Sequence, residues 1–186
     1  MKIKVFADTI CGWCYIGHSR LLNAFSYFEN ISFDVEHKPF QLNPDMPKQG
    51  ILRLDYLKSK FGSKEAAQPM YDSMTAEALK ENLKFNLNKI KVTPNTCLSH
   101  ILTKLAFTKK NGQEVLSEIY NSYFLKGENI GDADILISIG KFHNISEKEI
   151  IDSFSSDKEI NDINKSCGVA QSMGINGVPF LEINNK

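Results

Sequence analysis

The chain predicts an α/β fold in which a small sheet is interrupted by a large all-helical insertion. Three observations carry this. A strand, a helix and a second strand follow one another within the first forty positions. From about Leu52 to Ser172 the apolar residues recur at helical spacing. The segment Gly174-Ile175-Asn176-Gly177-Val178-Pro179-Phe180-Leu181-Glu182-Ile183 then returns to strand character. The sheet and the helices are thus expected as residues 1–50 with 173–186, and 51–172, respectively.

The first strand is Ile3-Lys4-Val5-Phe6, and the helical run from Tyr15 to Phe28 follows it. Between them stands Cys11-Gly12-Trp13-Cys14. Two intervening residues let the sulfurs of a first helical turn reach one another, so the pair can cycle between dithiol and disulfide with little backbone motion. Cys11 falls at the helix N-terminus, where unpaired N–H groups and the positive end of the dipole favour thiolate over thiol. Cys14 falls a turn further in, against the sheet. The first cysteine is therefore placed to attack and the second to resolve a mixed disulfide. CxxC alone also fits half a zinc site or two inert packed cysteines. Zinc needs two further ligands, and Cys97 with His100, or the isolated Cys167, form no second CxxC.

Ile31 to Phe40 alternates loosely, with Ile31, Phe33 and Val35 on one face, and stops at Pro39. A right-handed βαβ crossover makes this strand parallel to the first and puts the cysteines at the strands' C-terminal edge, where open α/β sheets hold their chemistry. Leu98, Ile101, Leu102, Leu105 and Ala106 define a helix opened by Pro94, with Asn95 or Thr96 as cap. Leu116, Ile119, Tyr120, Tyr123 and Phe124 define the next. Further helices begin at Asp132 and at Ser146, whose partner Glu149 makes a capping box. Ile160, Ile163, Cys167 and Ala170 mark one face of the last. Cys97 and Cys167 are expected as small buried hydrophobes, and Asp8, His18 and Arg20 as turn or solvated-face residues. Pro179 heads the final strand after the Asn176-Gly177 turn, because proline cannot donate to a ladder. Were the Val178–Pro179 bond cis, Val178 could offer backbone groups to an extended peptide beside the CxxC turn.

Composition narrows the function classes. Of 186 residues, 42% are hydrophobic and 24% charged, enough for a well-buried core. Basic and acidic residues number 22 each, so no long-range field draws in nucleic acid or anionic membrane. No stretch approaches the roughly 20 apolar residues of a membrane span, and the first strand starts within three residues of Met1. The expectation is a cytoplasmic protein whose CxxC is catalytic, with no metal and no organic cofactor.

Four motifs in order, Cys11-Gly12-Trp13-Cys14-Tyr15-Ile16-Gly17, Pro39-Phe40-Gln41-Leu42-Asn43-Pro44-Asp45-Met46-Pro47, Pro94-Asn95-Thr96 with His100, and Gly177-Val178-Pro179-Phe180, resemble the DsbA-like branch of the thioredoxin superfamily that contains FrnE-type dithiol–disulfide isomerases. The resemblance implies a thioredoxin fold interrupted by a helical domain packed over the active site. It implies Cys11 as exposed nucleophile, Cys14 as resolving thiol, and Val178-Pro179 as a cis-proline loop contacting substrate beside Trp13. Asn95, Thr96 and His100 match lid positions near the site. Relatives carry proline where Gly12 stands, and DsbA carries histidine where Trp13 stands, so Cys11 is expected to be acidified by the helix terminus alone and the couple to be a weaker oxidant than DsbA. Relatives also continue with another strand and helix beyond the proline strand.

The expected function is thiol–disulfide oxidoreductase or isomerase acting on protein or small thiol substrates. The same branch resembles 2-hydroxychromene-2-carboxylate isomerases and kappa-class glutathione transferases, which implies a glutathione-dependent alternative with glutathione as co-substrate. Those relatives have serine where Cys11 stands. A third alternative is a non-catalytic peptide-binding module.

Overall fold

The computed structural model describes residues 1–28 and 30–184. The last two residues of the expected 173–186 segment lie outside the described residues. Strand β1 (Lys2–Ala7) is followed by helix α1 (Gly12–Ser26) and strand β2 (Asp34–Pro39). β1 runs parallel to β2, in the register Ile3↔Val35 and Val5↔His37, as the crossover rule requires. Strand β5 (Phe180–Ile183) pairs antiparallel with the other edge of β1, Val5 opposite Leu181. β1 is thus the central strand in the order β2-β1-β5, and its Ile3, Phe6 and Ala7 are buried.

Between β2 and β5 the chain is helical with one exception. Ile51–Leu52 (β3) and Val92–Thr93 (β4) form a two-residue antiparallel ladder, which the helical periodicity of this region did not reveal. Two residues per strand are too few for alternation to register. Gly50, with φ +71°, makes the turn into β3, and a Cβ there would lie 2.6 Å from the Thr93 carbonyl. The helices are α2 (Arg53–Phe61), α3 (Lys64–Lys80), α4 (Cys97–Thr108), α5 (Gly112–Asn121), α6 (Ala133–Phe142), α7 (Glu147–Phe154) and α8 (Asp157–Ser172). A single 3-10 turn at Leu87–Lys89 precedes β4, and a π-helical segment, Ser122–Lys126, continues α5. Several caps are legible in sequence: Asp132 caps α6, and Ser146 accepts the Glu149 N–H at 3.3 Å while its hydroxyl donates to the Glu149 carboxylate at 2.9 Å.

The largest core joins the sheet to the helices without a seam. Ala7, Cys11, Cys14 and Tyr15 share it with Leu102 and Ala106 of α4, and with Val115, Leu116, Ile119 and Tyr120 of α5. The CxxC turn is therefore packed by the helical segment itself. Among the described residues, no helix is long and apolar enough to cross a membrane.

Candidate active site

Cys11 is the N-cap of α1, in extended conformation (φ −91°, ψ 111°). Its sulfur accepts the Cys14 N–H at 3.2 Å, so a cap normally supplied by serine or aspartate is here a sulfur. That contact and the helix's remaining free N–H groups direct positive potential onto Cys11 Sγ. The Cys11 N–H is held by the Asp8 carbonyl at 3.1 Å, which fixes the turn. On the opposite side, Cys11 Sγ donates to the Val178 carbonyl at 3.7 Å. Val178–Pro179 is a cis peptide, and Pro179 approaches α1 closely: a Cβ on Gly17 would lie 3.3 Å from its ring. Both cysteines are free thiols.

The two sulfurs sit in unlike surroundings. Cys14 is buried, and its thiol is pushed well above the ordinary value, first by burial, then by the Cys11 sulfur beside it, with the Asp8 charge acting in the same direction. Cys11 is the N-terminal sulfur but keeps only 6% exposure, so the implied exposed nucleophile is corrected to one covered in the resting turn. Cys11 lies in the core shared with α4 and α5, and next to it Met74 of α3 and Phe85 pack on Gly12. Trp13 is exposed at 36% and stands at the rim.

The lid residues divide. Asn95 turns away, its amide donating to the Met46 carbonyl at 2.6 Å and its oxygen accepting the Cys97 N–H at 2.9 Å. Thr96 is the buried N-cap residue of α4, and its carbonyl accepts from His100 N–H and Ser99 hydroxyl. His100 alone reaches the site: fully buried, its Nε2 lies 3.3 Å from Asp8 Oδ1. Ser99 joins it there, its hydroxyl 2.7 Å from that of Thr9.

Two expectations are corrected. Asp8 and His18 are buried, not solvated. Asp8 accepts the Leu42 N–H at 2.7 Å and faces His100. His18 lies 2.7 Å from the Ser117 hydroxyl, and burial pushes its pKa down to about 4. Arg20 is exposed as expected and is paired with Glu77 and Glu81 of the α3 end. Cys167 is buried with its thiol directed at the Gln41 carbonyl, whereas Cys97 is only half-buried, because it opens α4 where the helix is not yet covered. Sequence reading used Tyr120 and Phe124 only to mark a helix face, gave Tyr15 no role and did not mention Phe85. They stack in succession, Tyr15 on Tyr120 at 4.9 Å and Phe85 on Phe124 at 4.8 Å, and tie α1 to the helical segment. The run of aromatics at helical spacing was the available signal.

Among the described residues, no three His, Cys, Asp or Glu side chains cluster so as to hold a metal. A cavity of about 820 Å³ lies between α2, α3 and the 85–91 segment, and its lining contains none of the cysteines.

The fold has solved counterparts. The "probable DsbA oxidoreductase SCO1869" from Streptomyces coelicolor superposes with a TM-score of 0.86 at 24% identity, over 98% of this chain and 80% of that one. Cytosolic disulfide reductase DsbM from Pseudomonas aeruginosa, solved with GSH, superposes with a TM-score of 0.67 at 15% identity, over 100% and 87%. In sequence, the uncharacterized protein YwbO from Bacillus subtilis (strain 168) is 24% identical over 141 residues, 76% of this chain and 65% of that protein's length. The chain thus spans somewhat less than two thirds of that relative. The model of the DSBA-like thioredoxin domain matches residues 2–186, and the chain belongs to that family.

Proposed function

We propose that the protein is a thiol–disulfide oxidoreductase or isomerase in which Cys11 attacks a substrate disulfide and Cys14 resolves the intermediate. The observation that carries the reading is the asymmetry of the pair. Cys11 Sγ caps a helix and receives a backbone N–H, whereas Cys14 is buried with its proton held tightly. Attack by Cys11 thiolate forms a bond to one substrate sulfur and expels the other as thiolate. Cys14 then displaces the first sulfur from Cys11, leaving the Cys11–Cys14 disulfide and a reduced substrate. The reverse sequence oxidises a dithiol. Val178 offers its carbonyl to the sulfur, and it, Trp13 at the rim and Pro179 next in the chain are the groups proposed to contact substrate.

The covered state of Cys11 favours substrates that enter along Trp13 and Val178, either an extended peptide or a small thiol. Membership of the family supports a disulfide or thiol substrate, and the GSH in the DsbM structure supports glutathione as co-substrate. A cytoplasmic location is proposed on the same likeness to a cytosolic reductase.

Cys14→Ser is the direct test. Incubated with a disulfide-bearing protein such as insulin, it should accumulate a mixed disulfide on Cys11, seen as a mass adduct released by dithiothreitol, while Cys11→Ser forms none. Wild-type protein should turn insulin over and the double alanine variant should not. Adduct formation at equal yield in the Cys11→Ser variant would remove the assignment. Titrating the couple against glutathione then assigns the direction of electron flow.

A further inference from the structure

The cavity between α2, α3 and the 85–91 segment takes no part in the thiol chemistry, yet it is built to hold a ligand. Its volume of about 820 Å³ falls within the usual range of small-molecule pockets, roughly 300–1,000 Å³. Two of its sides are fixed to each other, because the Arg53 N–H at the start of α2 donates to the Lys91 carbonyl at 2.8 Å. Leu57 and Ile90 are buried in its lining, whereas Leu52, Leu54 and Leu79 line it and remain exposed. Three exposed leucines around one concave surface leave apolar area in water that an apolar occupant would cover. Phe85 forms part of the wall and also packs on Gly12, so an occupant sits one side chain away from the CxxC turn, with neither sulfur in the lining.

The same lining holds a cation without an anion. Arg53 is half-buried, and its guanidinium lies over the rings of Tyr56 and Tyr71, 5.4 and 5.3 Å from their centroids. It donates to the Tyr71 hydroxyl at 2.6 Å and to the Thr93 hydroxyl at 3.1 Å. All of these partners are neutral. The chain's other arginine, Arg20, engages two carboxylates, but among the described residues none pairs with Arg53. A guanidinium has five N–H donors, and the two hydroxyls use only part of that capacity. A charge drawn out of water by neutral partners alone is disfavoured, and an anion entering the cavity would offset that cost. Of the other charged residues in the lining, Asp72 accepts from the Gln68 amide at 2.7 Å, and Asp55, Lys64 and Lys91 are exposed.

We propose that this cavity binds a carboxylate that carries an extended apolar body, with the head group on the Arg53 guanidinium and the body along Leu57, Leu79 and Ile90. The planar fork of the guanidinium matches a carboxylate through two parallel hydrogen bonds. One half-buried cation in an apolar lining suits a monoanion with a hydrocarbon body, whereas a phosphate calls for more donors and more charge. The site goes beyond the redox reading and does not rest on it, since no bond is made or broken there.

The test is titration of the protein with sodium octanoate and, separately, with octan-1-ol, followed by the amide chemical shifts of residues 52–57 and 85–91. Octanoate should bind saturably, at least about tenfold more tightly than octan-1-ol at pH 7. Arg53→Gln should weaken octanoate until the two probes bind alike while leaving octan-1-ol unchanged, a pattern that simple collapse of the cavity would not give. Ala76→Trp, at an exposed position of the lining, should weaken both probes by obstructing the cavity. Lys64→Gln and Lys91→Gln should leave the preference for octanoate intact, and its loss in either of them but not in Arg53→Gln overturns Arg53 as the anchor. Should Arg53→Gln fail to fold, the comparison of the two probes on the wild type and on Ala76→Trp carries the test. Equal affinity for octanoate and octan-1-ol in the wild type, unsaturable shifts with octanoate, or wild-type octanoate affinity in Ala76→Trp overturns the site. Cys11→Ser should bind octanoate as the wild type does, so failure of the redox reading leaves this result standing.

Discussion

Replacing Gly12 by alanine puts a methyl group into space that α3 already fills. The new Cβ would lie 2.3 Å from Met74 Sδ, 2.9 Å from Met74 Cε and 3.2 Å from Phe85 Cε2. Met74 can yield only by leaving a site where it is 4% exposed and packed with Ile16 and Ala78. Overpacking of this kind costs about 1–3 kcal/mol, whereas the intrinsic preference of alanine over glycine in a helix returns at most about 1 kcal/mol, and less at the first helical position. Overpacking wins, and Gly12→Ala should lower stability by roughly 0.5–2 kcal/mol, read as a shifted urea midpoint at unchanged slope. The mechanism is isolated by a double-mutant cycle. Met74→Ala alone is expected to cost about 2–5 kcal/mol, but in that background Gly12→Ala should become neutral or stabilising, giving a coupling of about 1–3 kcal/mol. An equal cost for Gly12→Ala with and without Met74 would refute the packing argument.

Three further outcomes follow from single contacts. His18 is held near pKa 4 in the folded state against about 6.5 unfolded. The unfolded chain therefore takes up the proton first as pH falls, and stability complete above pH 6.5 is lost between about 6.5 and 4, by about 3 kcal/mol for this residue; urea midpoints of His18→Gln at pH 7 and pH 4.5 should differ by less than those of the wild type. Ser99→Ala leaves the buried Thr9 hydroxyl without its 2.7 Å partner and should cost about 1–3 kcal/mol, measured by denaturant unfolding, while Thr9→Val with Ser99→Ala recovers part of it. Lys4 and Glu182, opposite each other on β1 and β5, are bonded at 2.6 Å and partly covered; Glu182→Ala should cost about 0.2–1 kcal/mol and speed amide exchange in Phe180–Ile183 more than in Asp34–Pro39.

The sequence was most informative where period and punctuation coincide. β1, α1 and β2 follow from an apolar strand, a helix-capping cysteine and a second strand ended by proline, and the parallel pairing follows from handedness. Helices α4 to α8 follow from apolar residues at i, i+3 and i+4 with Asp132 and Ser146 as caps. The β3–β4 ladder did not follow, because a pairing fixed by two residues on each side is made by tertiary contact and leaves no pattern. Cys97 was misjudged for a related reason: the stripe it adjoins is apolar, but the first residue of a helix lies beyond the neighbours that cover the stripe.

Asp8 shows why the site was only half legible. A carboxylate such as Asp8 reads as solvated in sequence because its burial alone is expensive. It becomes compatible with a core only beside a partner, and its approach to His100 joins the turn after β1 to α4, 92 positions on, which no local window spans. The cysteines announce themselves by spacing, since their chemistry must be carried out within one helical turn. The polar groups packed behind that turn need only be close in space, and here they come from the β1–α1 turn and α4. It follows that a change in how α4 packs on β1 should alter the resolving step while leaving the CxxC turn intact. Thr9–Ser99 is a buried contact across this packing; when the reduced protein reacts with 5,5'-dithiobis(2-nitrobenzoic acid), attack by Cys11 releases one thiolate and resolution by Cys14 a second, and Ser99→Ala should slow the second release more than the first, whereas equal slowing of both would argue that the helix acts on the turn as a whole.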